Sequence, residues 1–422
     1  MTDSRVTNAA VKSDPATYKS SVDPFLRYRA EFPILDRTTY LISNSLGAMP
    51  RGVPDSLAEY AETWATRGVR AWEEKWWMFA LEIGNQIGAL MNAPANSVAV
   101  HGNVTQCQSV IASCFDFSGR RNKIVYSDLN FPSVMYFWQG QSRPSGVGNE
   151  SRGERVQMEC RGPRVDMVPT DGIEVPTERL LDAIDDETLL VPISHVIFRS
   201  SYINDAKAIC EKAHRVGAHV VLDAFQSLGS GVPLDVQALN VDFACGGVLK
   251  WLCGGPGAAY LYVRPDLAAN LQPKFTGWLA HENPFDFEVG PMRYTEGAYR
   301  FLNGTPGIPA LYTVAPALKI MRELDMAAVR EKSKRFTAQI ISLADRRGWR
   351  VNAPRDPERR GGTVAVDMPH SKQVCAELLK RDILVDFRPG AGVRISPHFY
   401  NLDAEIDTAF SAMDEIVREQ AR

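Results

Sequence analysis

Lys250 lies in the stretch GGVLKWLCGGPG (246–257), inside an apolar run with glycines on both sides. A lysine buried there without a partner costs several kcal/mol or gives up its proton, so the position calls for a chemical role. Upstream, 250 − 223 = 27 residues away, Asp223 follows an apolar run in VVLDAFQSLG. A carboxylate at the end of a buried strand needs a cation or several donors. Gln226, three residues on, would face the same cavity. HGNVT (101–105) sits between a strand-like run and a helical pattern. Amides at a helix N-terminus, joined by the Thr105 hydroxyl, make an anion site, and Gly102 permits close backbone approach. The plainer alternative is an N-cap at Asn103 or Thr105. Phe131, in SDLNFPS (127–133), is either a core residue or an aromatic cover for a flat ligand.

An anion cradle, an aromatic cover, a carboxylate and a lysine match the needs of one ligand, pyridoxal 5'-phosphate. The amides hold its phosphate, the carboxylate pairs with the protonated pyridine nitrogen, and the lysine forms a Schiff base. Glycines beside Lys250 would let the backbone pass close to such a flat ligand and turn before the next strand.

The elements that must position these groups are legible as alternating runs. Segments 97–100, 123–127, 164–169, 188–193, 218–222 and 241–246 read as buried strands, and 106–117 and 203–217 as amphipathic helices, the latter closed by Gly217. Strand–helix alternation with near-continuous apolar strands implies an α/β fold with a mainly parallel central sheet covered on both faces. In such sheets ligands bind at the carboxyl ends of the strands, where Thr105, Phe131 and Asp223 fall. GAAYLYV (257–263) follows a Gly-Pro-Gly turn and would add an antiparallel strand. After residue 310 a long helical region (310–347) leads to short strands at 361–368, 383–387 and 392–396, with helices at 371–382 and 403–420, a smaller α+β unit. The expected division is a tail at 1–24, a large domain at 25–309 and a small domain at 310–422, with 143–164 a surface excursion.

The chain has 422 residues, enough for two or three domains. Its 47 Lys and Arg against 50 Asp and Glu leave a net charge of −3, so nothing points to a nucleic-acid or membrane-surface partner. Seven cysteines stand singly, without CxxC or metal-ligand spacing. No signal-peptide pattern or apolar span is visible, and a cytoplasmic location is expected.

The sequence resembles the class V aminotransferase superfamily of fold-type-I pyridoxal phosphate enzymes, most closely its kynureninase-like branch, from about residue 25 to the end. YLISNSLGAMPRGV (40–53) is similar to the N-terminal substrate-side segment of kynureninases, placed here at 25–55. Segment 194–235 looks like the part carrying the pyridine-binding aspartate, VDFACGGVLKWLCGGPG (241–257) like the Schiff-base segment, and GVRISPHFYN (392–401) like the part whose arginine binds the substrate α-carboxylate. The resemblance implies that Lys250 holds the cofactor and moves protons at Cα, and that Asp223 pairs with the pyridine. It places Gln226 near the phenolic oxygen, Val104 and Thr105 at the phosphate and Phe131 over the ring. Asn44, Ser45 and Arg394 would bind substrate. Trp278 and Thr305 match positions that reach the phosphate of a neighbouring subunit, which implies a homodimer with shared active sites. Three positions depart from the kynureninase pattern: Val134 replaces an aspartate, Gln226 a histidine and Leu249 a tyrosine. RPGAGVRISPH (388–398) lacks the nucleophilic cysteine of cysteine desulfurases.

The expected activity is cleavage at Cβ of an amino-acid substrate, by C–C hydrolysis or C–S β-elimination. Alternatives are transamination, decarboxylation with oxidative deamination, or a catalytically silent binding protein of the same fold. Trp72 and Trp76, at i, i+4 spacing, would share one face of an α-helix and, with Trp77, either line an aromatic substrate pocket or pack in the core or at a dimer interface. His101, His195 and His398 are candidate acid/base groups, and Arg199 a candidate substrate contact.

Overall fold

The computed structural model describes residues 23–142 and 162–420; the expected tail and excursion fall almost entirely outside them. The strands in chain order are β1 (Thr39–Tyr40), β2 (Val98–His101), β3 (Lys123–Ser127), β4 (Arg164–Val168), β5 (Thr188–Ser194), β6 (His219–Asp223), β7 (Phe243–Gly247), β8 (Ala259–Val263), β9 (Arg350–Val351), β10 (Val364–Asp367), β11 (Ile383–Leu384), β12 (Asp386–Arg388) and β13 (Gly392–Ile395). The helices are α1 (Leu26–Arg29), α2 (Val53–Arg67), α3 (Trp77–Ala89), α4 (Val104–Ser113), α5 (Pro132–Gln141), α6 (Thr177–Ala183), α7 (Ala206–Val216), α8 (Pro265–Ala268), α9 (Ile308–Met321), α10 (Met326–Asp345), α11 (Ser371–Lys380) and α12 (Asp403–Gln420).

Strands β3, β5 and β7 are buried at every residue, because helices cover both faces of the sheet they form. That sheet has seven strands in the order β2-β8-β7-β6-β5-β3-β4. β8 runs antiparallel to both its neighbours, as the turn before it predicts, and the pairings from β7 to β4 are parallel. Their carboxyl ends therefore line one edge. Register fixes what meets there: Asp223 at the end of β6 lies beside Ser194 of β5 and Cys245 of β7. α7 is capped by Asp205, which accepts from the Ala208 N–H, and ends at Gly217 in the left-handed conformation.

A second, antiparallel sheet has the order β12-β13-β10-β9 and its own apolar core, which includes Phe336, Val366, Val393 and Phe410. α9, at the expected domain division, contributes Ile308, Leu311 and Leu318 to the core of the large sheet. The N-terminal segment joins the two units. β1 pairs in parallel with β11, and Ile42 bridges Ser396.

Three local expectations change. The helical region 310–347 is two helices, since Asp325 starts α10 by accepting from the Ala327 and Ala328 N–H groups. The run 383–387 is two strands with different partners, β11 with β1 and β12 with β13. Trp72–Trp76 forms a π-helical turn rather than α-helix. Trp72 and Trp76 still meet edge to face at 5.0 Å, and Trp77 stacks on Trp72 at 4.3 Å. Among the described residues no helix is long and apolar enough to cross a membrane.

Candidate active site

Lys250 follows β7 at the carboxyl edge of the sheet. Its Nζ lies 4.2 Å from the Phe225 ring centre and 5.4 Å from that of Phe131. Burial lowers its pKa to about 8 against the opposing pull of Asp223; Arg394 and Arg388 add to the lowering. The amine is thus far easier to deprotonate than an ordinary lysine, which suits nucleophilic attack on a carbonyl. The glycines before it serve a purpose other than the one expected. A Cβ on Gly247 would overlap the Phe225 ring, and one on Gly246 the Tyr260 hydroxyl, so they admit protein rings rather than ligand.

Asp223 is buried, and among the described residues its carboxylate takes one hydrogen bond, from the Phe225 N–H at 3.0 Å. Burial pushes its pKa up, opposed by that N–H and by Lys250. Such a carboxylate has room for a cationic N–H partner. At the start of α4, Asn103 is the N-cap: its side chain accepts from the Gln106 N–H at 2.9 Å. The plainer reading of HGNVT therefore holds for Asn103, yet the Val104 and Thr105 amides of the same turn have no acceptor among the described residues. Phe131 caps the start of α5, is 39% exposed and packs edge-on against Phe198. Free amides at a helix start, an under-bonded carboxylate, a depressed lysine and an exposed ring share one sheet edge. These groups fit pyridoxal 5'-phosphate: amides for phosphate, Asp223 for the pyridine N–H, Lys250 for the aldehyde.

The opposite wall is built by the N-terminal segment and the small sheet. The Gly47 N–H donates to the Leu249 carbonyl at 2.8 Å, and a Cβ on Gly47 would overlap the Lys250 carbonyl. Asn44 is buried; its backbone carbonyl accepts from Gln226 Nε2 at 3.0 Å, while its side-chain amide has no partner among the described residues. Gln226 Oε1 accepts from the Trp251 indole at 2.8 Å, so this amide is fixed from both ends. Arg394, only 2% exposed, gives Nε to Asp386 Oδ1 at 2.7 Å, a second N–H to Asp386 Oδ2, and Nη1 to the Phe198 carbonyl at 2.7 Å. Ser45 Oγ donates to Asp386 Oδ2 at 2.7 Å.

Asn44, Ser45, Phe131, Asp223, Gln226, Lys250 and Arg394 are linked by these contacts, with Val104 and Thr105 on the same edge. Trp278 and Thr305 are not among them. Trp278 meets Trp77, Phe285 and Phe287, and Thr305 lines a cavity of about 190 Å³ with His101, Gly102 and Gln106. Residues that the sequence reading missed are Phe225, Trp251, Asp386 and Arg388. Trp251 and Phe225 adjoin the motifs; nothing local marks Asp386. His101, His195 and His398 are buried with pKa values lowered to about 4, so each is neutral near pH 7. Arg199 donates to the Pro389 carbonyl at 2.9 Å. Val134 is packed in an apolar cluster with Val104, Cys107 and Trp138. Burial raises the pKa of all six described cysteines, so none is a ready thiolate.

Sheet, smaller unit and lysine-centred edge together define a fold-type-I pyridoxal phosphate enzyme. The chain belongs to the aminotransferase class-V family, whose model matches residues 39–408. It is 30% identical over 395 residues to an uncharacterized aminotransferase, YcbU, of Bacillus subtilis, covering 92% of this chain and 96% of that protein. It is 28% identical over 414 residues to the kynureninase of Bacillus thuringiensis, covering 94% and 92%. Among solved structures, an apo cysteine desulfurase from Thermococcus onnurineus superposes with a TM-score of 0.79 at 20% identity, covering 93% and 98%.

Proposed function

We propose that this enzyme cleaves a bond at Cβ of an amino-acid substrate, by C–C or C–S scission. When bound, pyridoxal phosphate supplies the electron sink that stabilises negative charge at Cα. Lys250, with its depressed pKa, holds the cofactor and then takes or returns the proton at Cα. Asp223 keeps the pyridine nitrogen protonated. The Val104 and Thr105 amides anchor the phosphate, and Phe131 covers one ring face. Arg394 receives the substrate α-carboxylate.

The observation that carries this reading is the wedge of Asn44–Gly47 against the Lys250 loop, because this Asn-Ser-Leu-Gly run is the part of the sequence that resembles kynureninases on the substrate side. With Val134, Gln226 and Leu249 in place of the kynureninase residues, the acyl or thio group at Cβ differs from that of kynurenine. The test is product analysis of holoenzyme with L-kynurenine and with S-substituted cysteines. Alanine from the first marks C–C cleavage, and pyruvate with a free thiol from the second marks C–S cleavage. Conversion to the pyridoxamine form without either product overturns the proposal in favour of transamination, the reading that the name of the B. subtilis relative supports.

The same reading includes a homodimer. Trp278 packs against Phe285 and Phe287, which are exposed at 52% and 73%, and Thr305 lines a cavity beside the Gly102 turn. In a dimer Trp278 and Thr305 complete the partner's phosphate site. Mixing Lys250→Ala with Thr305→Ala chains tests this: each hybrid dimer then contains one site with neither defect and one site with both, so activity exceeds that of either parent. A monomer by light scattering overturns it.

A further inference from the structure

The guanidinium of Arg394 is engaged before any substrate arrives. Its Nε and one Nη2 N–H lie along the Asp386 carboxylate, and Nη1 is held by the Phe198 carbonyl. What remains toward Ser45 is weakly used: Nη2 to Ser45 Oγ is 3.4 Å. Asp386 accepts from Ser45 Oγ as well, and Arg388 Nη2 lies 3.2 Å from the same Oδ2. Four donors thus converge on one carboxylate. Arg394 holds the Asp386 pKa down despite its burial, so the pair is an ion pair at neutral pH.

A guanidinium presents two edges, and a bidentate partner fixes the plane and heading of the whole group. With one edge taken by Asp386, Arg394 can meet a second carboxylate only through the remaining one. A free arginine would instead sample many rotamers and lose entropy on binding. We propose that Asp386 is the positioning residue for substrate recognition: it locks Arg394 so that a single edge faces the α-carboxylate of the substrate, and Ser45 ties that lock to the Asn44 wedge. Arg388, whose side chain is 43% exposed, balances the Asp386 charge, so the site keeps a net positive charge when Arg394 is paired. The inference rests on the proposed amino-acid substrate and goes beyond it by naming what sets the carboxylate preference.

The test is an absorbance titration of reconstituted holoenzyme with L-alanine and with ethylamine, which differ by the carboxylate. The wild type is expected to bind L-alanine at least about tenfold more tightly than ethylamine. Asp386→Asn is expected to lose most of that preference, with L-alanine binding weakened far more than ethylamine binding, a split that general destabilisation does not produce. Ser45→Ala is expected to shift the ratio in the same direction by a smaller factor, and it decides the matter if Asp386→Asn fails to fold. A wild-type preference retained or increased in the variants overturns the inference, as does a wild type without preference that still carries the cofactor. A protein that takes up no cofactor overturns the underlying reading as well, and the absence of the cofactor band identifies that case.

Discussion

On the proposed cofactor side of the cleft most polar groups keep spare bonding capacity; on the proposed substrate side they spend it on one another. Among the described residues the Asp223 carboxylate has one hydrogen bond and the Val104 and Thr105 amides have none, whereas Asp386, Arg394 and Ser45, and the Gln226 amide that joins the two sides through Asn44 and Trp251, form closed pairings. Unsatisfied buried groups are costly, so the first arrangement makes sense as a preformed socket whose missing partners come with a ligand. The second is a set of braces that holds the proposed recognition groups at fixed headings, with the Asn44 amide, unpartnered among the described residues, the exception. Binding a tightly held cofactor and discriminating among substrates call for these two different constructions.

Removing a socket group should cost far more than removing a brace. Lys250→Ala is expected to lower turnover by about 10⁴-fold or more, measured as product formation with saturating cofactor. Asp223→Asn should cost roughly 10²- to 10³-fold, since it removes one preorganised electrostatic partner of the cofactor. A smaller effect concerns pH. The free amine of Lys250 is the reacting form, so the rate at which apoprotein captures the cofactor should rise with pH around a midpoint near about 8, below that of an ordinary lysine. Because Asp223 raises that pKa, Asp223→Asn should move the midpoint lower still. Trp251→Phe, on the brace side, leaves the buried Gln226 oxygen without its donor and should cost about 1–3 kcal/mol in denaturant unfolding. A turnover loss from Trp251→Phe as large as that from Asp223→Asn would break the distinction between the two sides.

The same contrast explains what was legible in the sequence. Asp223 ends a buried strand and Lys250 follows one, and the apolar runs before them show where the sheet edge must fall. Thr105 and Phe131 begin helices just past such strands, so their neighbourhood also follows from topology. The braces have no such local signature. Ser45 and Asp386 meet across 341 residues of sequence, and their pairing depends on β1 lying along β11. Arg394 is visible only through the resemblance of its segment, and the carboxylate that engages it lies on β12, which one apolar run joins to β11 in the sequence. In the sequence Gly246 and Gly247 look like room for a ligand, because the rings of Tyr260 and Phe225 that need the space are not their sequence neighbours. The split of 310–347, by contrast, was written in the sequence: Asp325 followed by Met-Ala-Ala is a helix start.

The most direct test of the account is borohydride reduction of the reconstituted protein, followed by proteolysis and mass spectrometry. A covalent pyridoxyl group on the peptide containing Lys250, absent from Lys250→Ala, is the predicted result; a modified lysine elsewhere, or none in protein saturated with cofactor, would contradict it.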